Sequence, residues 1–473
     1  MKKNFPLAPQ GRHIINRMQG VAAAYGGRCM QVQRNLRVIA LSLTFLFPTT
    51  SGVSQKTWTL TECINHAIEN NIQIKQASLS SENNQLQWNQ AKNNRLPSVN
   101  AGLSNGFSFG RAPSPETNMF VNQNSNSTNA SLNANVPIFQ GLQLSNNIAA
   151  QRLNFMASVE DHQRIKNDIS LNVASYFLNV LVQKEFLKIA QNQRDLTDTL
   201  LHRSEVLVSS GREPVSKLYE LKAQQANDNF NITTAERNLS LALLDLLQLL
   251  ELENTSEFDV ATPVLLMDVS EMPIPTVNFD NAIVTLPNVR AEELRLERSR
   301  KNLDIAKGAY LPSLSLNAST STNYFNVNGL PNAQFSRQLS NNWQNYVGVS
   351  LNIPIFNRMT TRTNVSQSRL QIQNQELEVE NAKKAIYKDI QRAMLNAKVS
   401  KDRYMAALNA VRANQESFRF VTQAFESGRT TLFDLQQSRN NLERAQSEQI
   451  QAKYEFIFNT KVLDFYNGKE IKL

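Results

Sequence analysis

Four histidines are the residues of this 473-residue chain best suited to ligate a metal or move a proton near neutral pH, and His13, His66, His162 and His202 share no ligand spacing. The sequence has no Cys-x-x-Cys, no His-Glu-x-x-His and no glycine-rich phosphate loop. His162 and His202 fall on long polar-faced helical stretches, as surface residues would. The residues therefore point to no enzyme, no cofactor and no resident metal. What recurs at fixed spacing is instead a turn chemistry. Ser210-Gly211-Arg212 returns as Ser427-Gly428-Arg429, an offset of 217 residues. Each triplet interrupts a long helical pattern, where glycine permits the left-handed backbone that a tight helical hairpin needs.

The helices that carry these turns are read from their seams. Ile386, Ile390, Ala393, Ala397, Ser400, Tyr404, Ala407, Val411, Asn414, Phe418, Val421 and Phe425 follow four-three spacing, the repeat of a left-handed coiled coil. Leu435, Ser438, Leu442, Ala445, Gln449, Ala452, Phe456, Asn459, Leu463 and Tyr466 continue it on the returning limb. An earlier hairpin has Ile169, Val173, Tyr176, Val180, Leu187 and Ala190 on its seam. Only 15 glycines and 15 prolines punctuate the chain, which favours few, long elements.

The net charge of +9 suggests nucleic acid at first sight, but Lys2, Lys3, Arg12, Arg17, Arg28, Arg34 and Arg37 precede residue 55 without a single acid, leaving +2 for the rest. These cations flank the apolar run Val38–Phe47, the layout of an export signal over residues 1–54, with cleavage expected near Ser54-Gln55. No later run approaches the roughly 20 apolar residues of a spanning helix. Cys29 would leave with the leader, so Cys63 has no partner for an intramolecular disulfide.

The whole programme occurs twice. Leu96-Pro97-Ser98 recurs as Leu311-Pro312-Ser313, and Asn135–Phe139 as Asn352–Phe356. Three landmarks in one order define a tandem duplication, 55–270 and 271–473. Each copy reads as helix (60–96 and 281–310), strand, polar loop, strand and long hairpin. The strands are expected at 98–110, 128–139, 313–325 and 343–356, the loops at 111–127 and 326–342, and the tips at 209–214 and 426–431. A descending limb would be about 100 Å long at 1.5 Å per residue. Its returning limb is half that, so the helix before the strands should stack on it, with 251–280 irregular near the waist.

Four alternating strands joined by polar loops match outer-membrane barrel strands in length and pattern. In lipid their edges must close, and four strands are too few, so several chains must combine. The bland alternative is a periplasmic structural or adaptor coiled coil without a pore, which fractionation would separate from an integral membrane protein. Phe120, Tyr324, Phe325, Trp343 and Tyr346 are candidate rim aromatics.

With "NVPIF" and "NIPIF" before the descending helices and "SSGREPVSKLYE" and "ESGRTTLFDLQ" at the tips, the chain resembles the TolC family of outer-membrane efflux proteins over residues 58–466. The resemblance implies a mainly α protein with a membrane β-barrel portion. It would be a homotrimer whose twelve strands continue into a trimeric α-barrel of coiled-coil hairpins across the periplasm of a Gram-negative-type bacterium. The implied partners are a periplasmic adaptor, an inner-membrane RND or ABC transporter and outer-membrane lipid, with no nucleic acid. It further implies that the tips, Ser210, Gly211, Arg212, Ser427, Gly428 and Arg429, dock the adaptor. Asp434 matches a family gate acid, six residues after the tip glycine. Lys217 occupies the equivalent place in the first copy, and Phe425 and Thr430 replace the family's gating tyrosine and arginine.

Overall fold

The computed structural model describes residues 57–472 apart from 114–118, 123, 254–257, 264–268 and 329–330. The expected leader, its cleavage site and Cys29 lie outside the described residues, as do parts of both polar loops.

Two helices set the scale, α3 (Gln143–Ser209) and α8 (Thr360–Glu426), each of 67 residues. At 1.5 Å per residue each is about 100 Å long. The returning helices α4 (Val215–Leu250) and α9 (Leu432–Tyr466) cover the tip half. In the strand half, α2 (Ile72–Asn93) packs on α3, and α6 (Pro287–Gly308) packs on both α3 and α8. This is the stacking that helix lengths required: Asn84 of α2 accepts from Asn154 near the start of α3, whereas Gln225 of α4 donates to Asp198 near its end.

The seams bury as their spacing demands. Ile386, Ile390, Ala393, Ala397, Ser400, Tyr404 and Ala407 are all buried on α8, and Leu435, Leu442, Ala452, Phe456 and Leu463 on α9. On α3 the seam differs at one place, where Phe177 is buried and Tyr176 is exposed. The largest apolar cluster lies where the helix stacks meet, around Phe177, Leu181, Leu246, Leu250, Phe456 and Ile457. Burying side chains of this size contributes about 1.5–3 kcal/mol each. α1 (Leu60–Asn70) closes the cluster, started by a capping box between Thr59 and Glu62. Its Cys63 is fully buried, and burial pushes the thiol up to about 12. Beside it β1 (Thr57–Trp58) pairs in parallel with β6 (Asp259–Val260), so the expected irregular stretch 251–280 contains one short ladder.

Several boundaries differ from the sequence expectation. The helix read over 60–96 is two helices, because Asn71 turns out of the helix, accepts from the Gln73 N–H and donates to the Leu249 carbonyl. The one read over 281–310 is also two, α5 (Phe279–Thr285) and α6, divided before Pro287, whose nitrogen cannot donate. The loop read over 111–127 contains a short hairpin, β3 (Arg111–Pro113) with β4 (Phe120–Asn122). The loop read over 326–342 contains α7 (Phe335–Asn341). Here the Gln338 amide accepts from the Phe325 N–H and donates to the Phe325 carbonyl, satisfying an edge that the short strand β8 (Gln344–Asn352) leaves uncovered.

The sheet is antiparallel in the order β2 (Ser98–Ser108), β5 (Ser125–Gln140), β7 (Ser313–Val327), β8 (Gln344–Asn352). Paired rows separate its faces. One face carries Val99–Ala134–Ala318–Val347 and Val136–Leu316–Val349. The opposite face carries Ser98–Asn135–Asn317–Gly348, Asn100–Asn133–Ser319–Tyr346 and Gly102–Ser131–Ser321–Gln344. By register Tyr324, opposite Thr128, falls on the apolar side, where a rim aromatic would stand. Phe325 and Tyr346 do not: the register puts both on the polar face. Among the described residues, the outer edges of β2 and β8 have no strand partner.

Candidate functional site at the hairpin tips

The tips are built by the backbone. After α3, Gly211 has φ +70°; its N–H bonds the Val208 carbonyl and the Arg212 N–H bonds that of Leu207, at 3.0 and 2.8 Å. After α8, Gly428 has φ +72°, with Gly428 bonded to Phe425 and Arg429 to Ala424 at the same two distances. Both are Schellman turns, which satisfy the last carbonyls of a helix through a left-handed residue that glycine adopts without strain. Ser210, Gly211, Arg212, Ser427, Gly428 and Arg429 are all exposed. A Cβ on either glycine would meet nothing within 4 Å, so conformation rather than crowding selects glycine there.

The four candidate gate residues come together in two pairs. Lys217 Nζ lies 4.3 Å from the centre of the Phe425 ring, joining the first hairpin to the second. It also donates to Glu213 Oε1 at 2.7 Å. Burial alone would raise the Glu213 carboxyl, but hydrogen bonds from Lys217 and Ser204, with the Lys217 and Arg203 charges, hold it below the usual carboxylate range. Asp434 instead completes the start of α9. Its Oδ2 accepts from Thr431 Oγ at 2.6 Å, Thr430 Oγ at 2.8 Å and the Thr431 N–H at 3.1 Å, while the Asp434 N–H donates back to Thr431. These bonds, Thr431 first, hold its carboxyl low. Within one chain Lys217 and Asp434 thus have separate partners.

Beneath the tips the two hairpins share one apolar cluster of Leu201, Leu221, Leu432 and Leu435, with Phe418, Val421 and Phe425 packed on it. Arg203 of α3 reaches the Glu426 carbonyl at 3.2 Å. Deeper lies a feature that the sequence reading missed. Arg439 of α9 donates to Asp228 of α4 at 2.9 Å and to Thr197 of α3 at 2.8 Å, and Gln224 donates to Asp228 at 2.9 Å. The Arg439 and Asp228 side chains are only 7% and 1% exposed, so this pair bolts three helices together away from water. A signal for it was present. Asp228 stands seven residues after buried Leu221, and Arg439 seven after buried Leu432 and next to the seam residue Ser438, so each charge repeats a buried apolar position at heptad spacing.

A family model described as outer membrane efflux protein matches residues 63–251 and 279–463, the two repeats in turn. The chain is 24% identical over 385 residues to the outer membrane protein TolC of Escherichia coli K12, covering 78% of this chain and 74% of that one. It is 25% identical over 352 residues to the cation efflux system protein CusC of Escherichia coli O157:H7, covering 73% of each. The crystal structure of the Campylobacter jejuni CmeC outer membrane channel superposes with a TM-score of 0.74 at 16% identity, over 93% of this chain and 95% of that one.

Proposed function

Because this chain belongs to the outer membrane efflux protein family, we propose that it is the outer-membrane channel and periplasmic tunnel of a tripartite efflux or type I secretion assembly. It conducts passively what an inner-membrane pump delivers through a periplasmic adaptor. The observation that carries the reading is the four-stranded sheet with one apolar face, one polar face and two open edges. In lipid an unpaired backbone group costs several kcal/mol, so those edges must meet further copies. Three copies would supply twelve strands, enclosing a water-filled lumen lined by the Asn- and Ser-rich face. The long hairpins then extend the passage, and the Schellman tips present their exposed Ser-Gly-Arg triplets to the adaptor.

The narrowest level falls six residues past each tip glycine, where every copy contributes Lys217 with Phe425 and Asp434 with Thr430. Between neighbouring copies, Lys217 of one hairpin facing Asp434 of another forms the closing contact. Planar-bilayer recording of the detergent-purified protein, with its oligomer mass, tests the reading. A trimer with low, fluctuating conductance is expected, and reversing both charges, Lys217→Asp with Asp434→Lys, changes the resting conductance. A species that stays water-soluble without detergent and passes no current would overturn the channel. Unchanged resting conductance in the double reversal would overturn the gate pair alone.

A further inference from the structure

The polar face of the sheet is made almost wholly of Gly, Ser, Asn and Gln in the rows where all four strands pair, and Tyr346 is the exception. Its ring lies forward along β8 against Gly348, where an added Cβ would overlap the phenol oxygen. One side of the ring is thus laid against glycine, and the residue remains 62% exposed. The internal repeat indicates what a neighbouring copy would bring beside it. Carrying the pairs Asn129↔Asn323 and Ser131↔Ser321 over by the repeat offsets puts a neighbour's Ser108 beside Tyr346 and its Gly106 beside Gly348. Neither is large enough to cover the ring.

We propose that Tyr346 is a cargo-contacting residue of the barrel lumen, an aromatic site that favours organic cations. This rests on the channel reading above, which makes the polar face the lumen. Among the described residues that face has no charged side chain, so no fixed charge there sorts cargo by sign. The electron-rich face of the phenol ring does: it attracts a cation within about 6 Å of its centre and gives an anion of equal size nothing comparable. One such ring per copy, at one level of the lumen, gives a passing cation several equivalent faces. Gly348 has a positioning role, since only a residue without a Cβ leaves the ring room to lie against it.

The test is current block in channels of the full mature protein, with benzyltrimethylammonium and then benzoate added to each side in turn. The cation should block the parent channel, and Tyr346→Ser should raise its half-blocking concentration roughly two- to fivefold, the ratio that about 0.5–1 kcal/mol of cation–π attraction corresponds to. Tyr346→Phe keeps a ring and should block like the parent, while benzoate should not distinguish the three. Gly348→Ala, which displaces the ring without removing it, should also weaken the cation block. Conducting Tyr346→Ser channels with unaltered cation block would overturn the assignment. A lowered melting temperature with that unaltered block would reassign the ring to strand support, since large rings shield glycines in sheets. Absence of any current in the parent protein would overturn the channel reading itself.

Discussion

The two hairpin tips share a backbone and differ in nearly every side-chain contact. Both turn through a Schellman glycine with φ near +70° and the same pair of backbone hydrogen bonds. The helices that follow start differently. α9 begins with a capping box in which Asp434 gathers three donors from Thr430 and Thr431. α4 begins at Pro214 with no side-chain cap, and its first turn is held by Lys217, which bonds Glu213 and lies over Phe425 of the other hairpin. The start of α9 therefore holds itself, whereas the start of α4 is held partly by the other hairpin. Duplication has kept the turn, which only backbone geometry dictates, and let the side chains around it diverge.

The largest effect should come from separating the hairpins beneath the tips. Arg439→Met leaves Asp228 charged in a dry site, which costs about 3–5 kcal/mol when one partner of a buried pair is removed. Pairing it with Asp228→Leu should recover most of that loss, because a well-packed apolar replacement is often neutral. Thermal unfolding in detergent reads both, and a single variant that melts like the parent would show that the pair does not hold the hairpins together. Next in size are Gly211→Ala and Gly428→Ala. Each forces a Cβ into the left-handed region, at about 1–2 kcal/mol. The space around both is open, so the two losses should match. Unequal losses would break the claim that the turns are equivalent.

How much of this was legible in the sequence depended on whether a feature was periodic. The seam from Ile386 to Ala407 buries position by position, since coiled-coil spacing fixes which side chains meet. The alternation of Val99, Ala101 and Leu103 with Ser98, Asn100 and Ser104 likewise anticipated the two sheet faces. Boundaries set by single side chains were not legible: Asn71 divides one helix through a bond to Leu249, 178 residues away. Nor was α7, which depends on the Gln338 amide finding the free edge at Phe325. At the candidate site, the tip triplets came from the repeat, and the level of Asp434, with Lys217 in the first copy, came from the family resemblance. The contact of Lys217 with Phe425 came from neither, because it needs two hairpins in register; its bond to Glu213, four residues back, needs only one. The Arg439–Asp228 bolt was not legible because Arg439 stands one residue off the seam through Ser438, and its partner lies 211 residues away on another hairpin.

The smallest effects should separate the two helix starts, and pH sharpens the contrast. Both Asp434 and Glu213 are held below the usual carboxylate range, so each contributes stability that is present above the ordinary carboxylate pKa and is lost as pH falls through its lower folded value. What lowers them differs: threonine donors on its own cap for Asp434, and chiefly Lys217 and Ser204 for Glu213, working against burial. Thr431→Ala should therefore loosen only the second start, by about 1 kcal/mol, as loss of a cap does. Lys217→Met should loosen only the first, by less than about 1 kcal/mol, since a partly exposed ion pair and one ring contact are all it removes. Amide exchange over residues 211–221 and 428–438, corrected for intrinsic rates at neutral and mildly acidic pH, resolves the two segments. In the Lys217 variant Glu213 loses its main donor, so its carboxyl should rise with burial and the first start should loosen at a higher pH than in the parent. The second start should keep the parent's acid response. If either substitution loosened both segments alike, the tips would be one cooperative unit, and the separate holding of the two helix starts would be wrong.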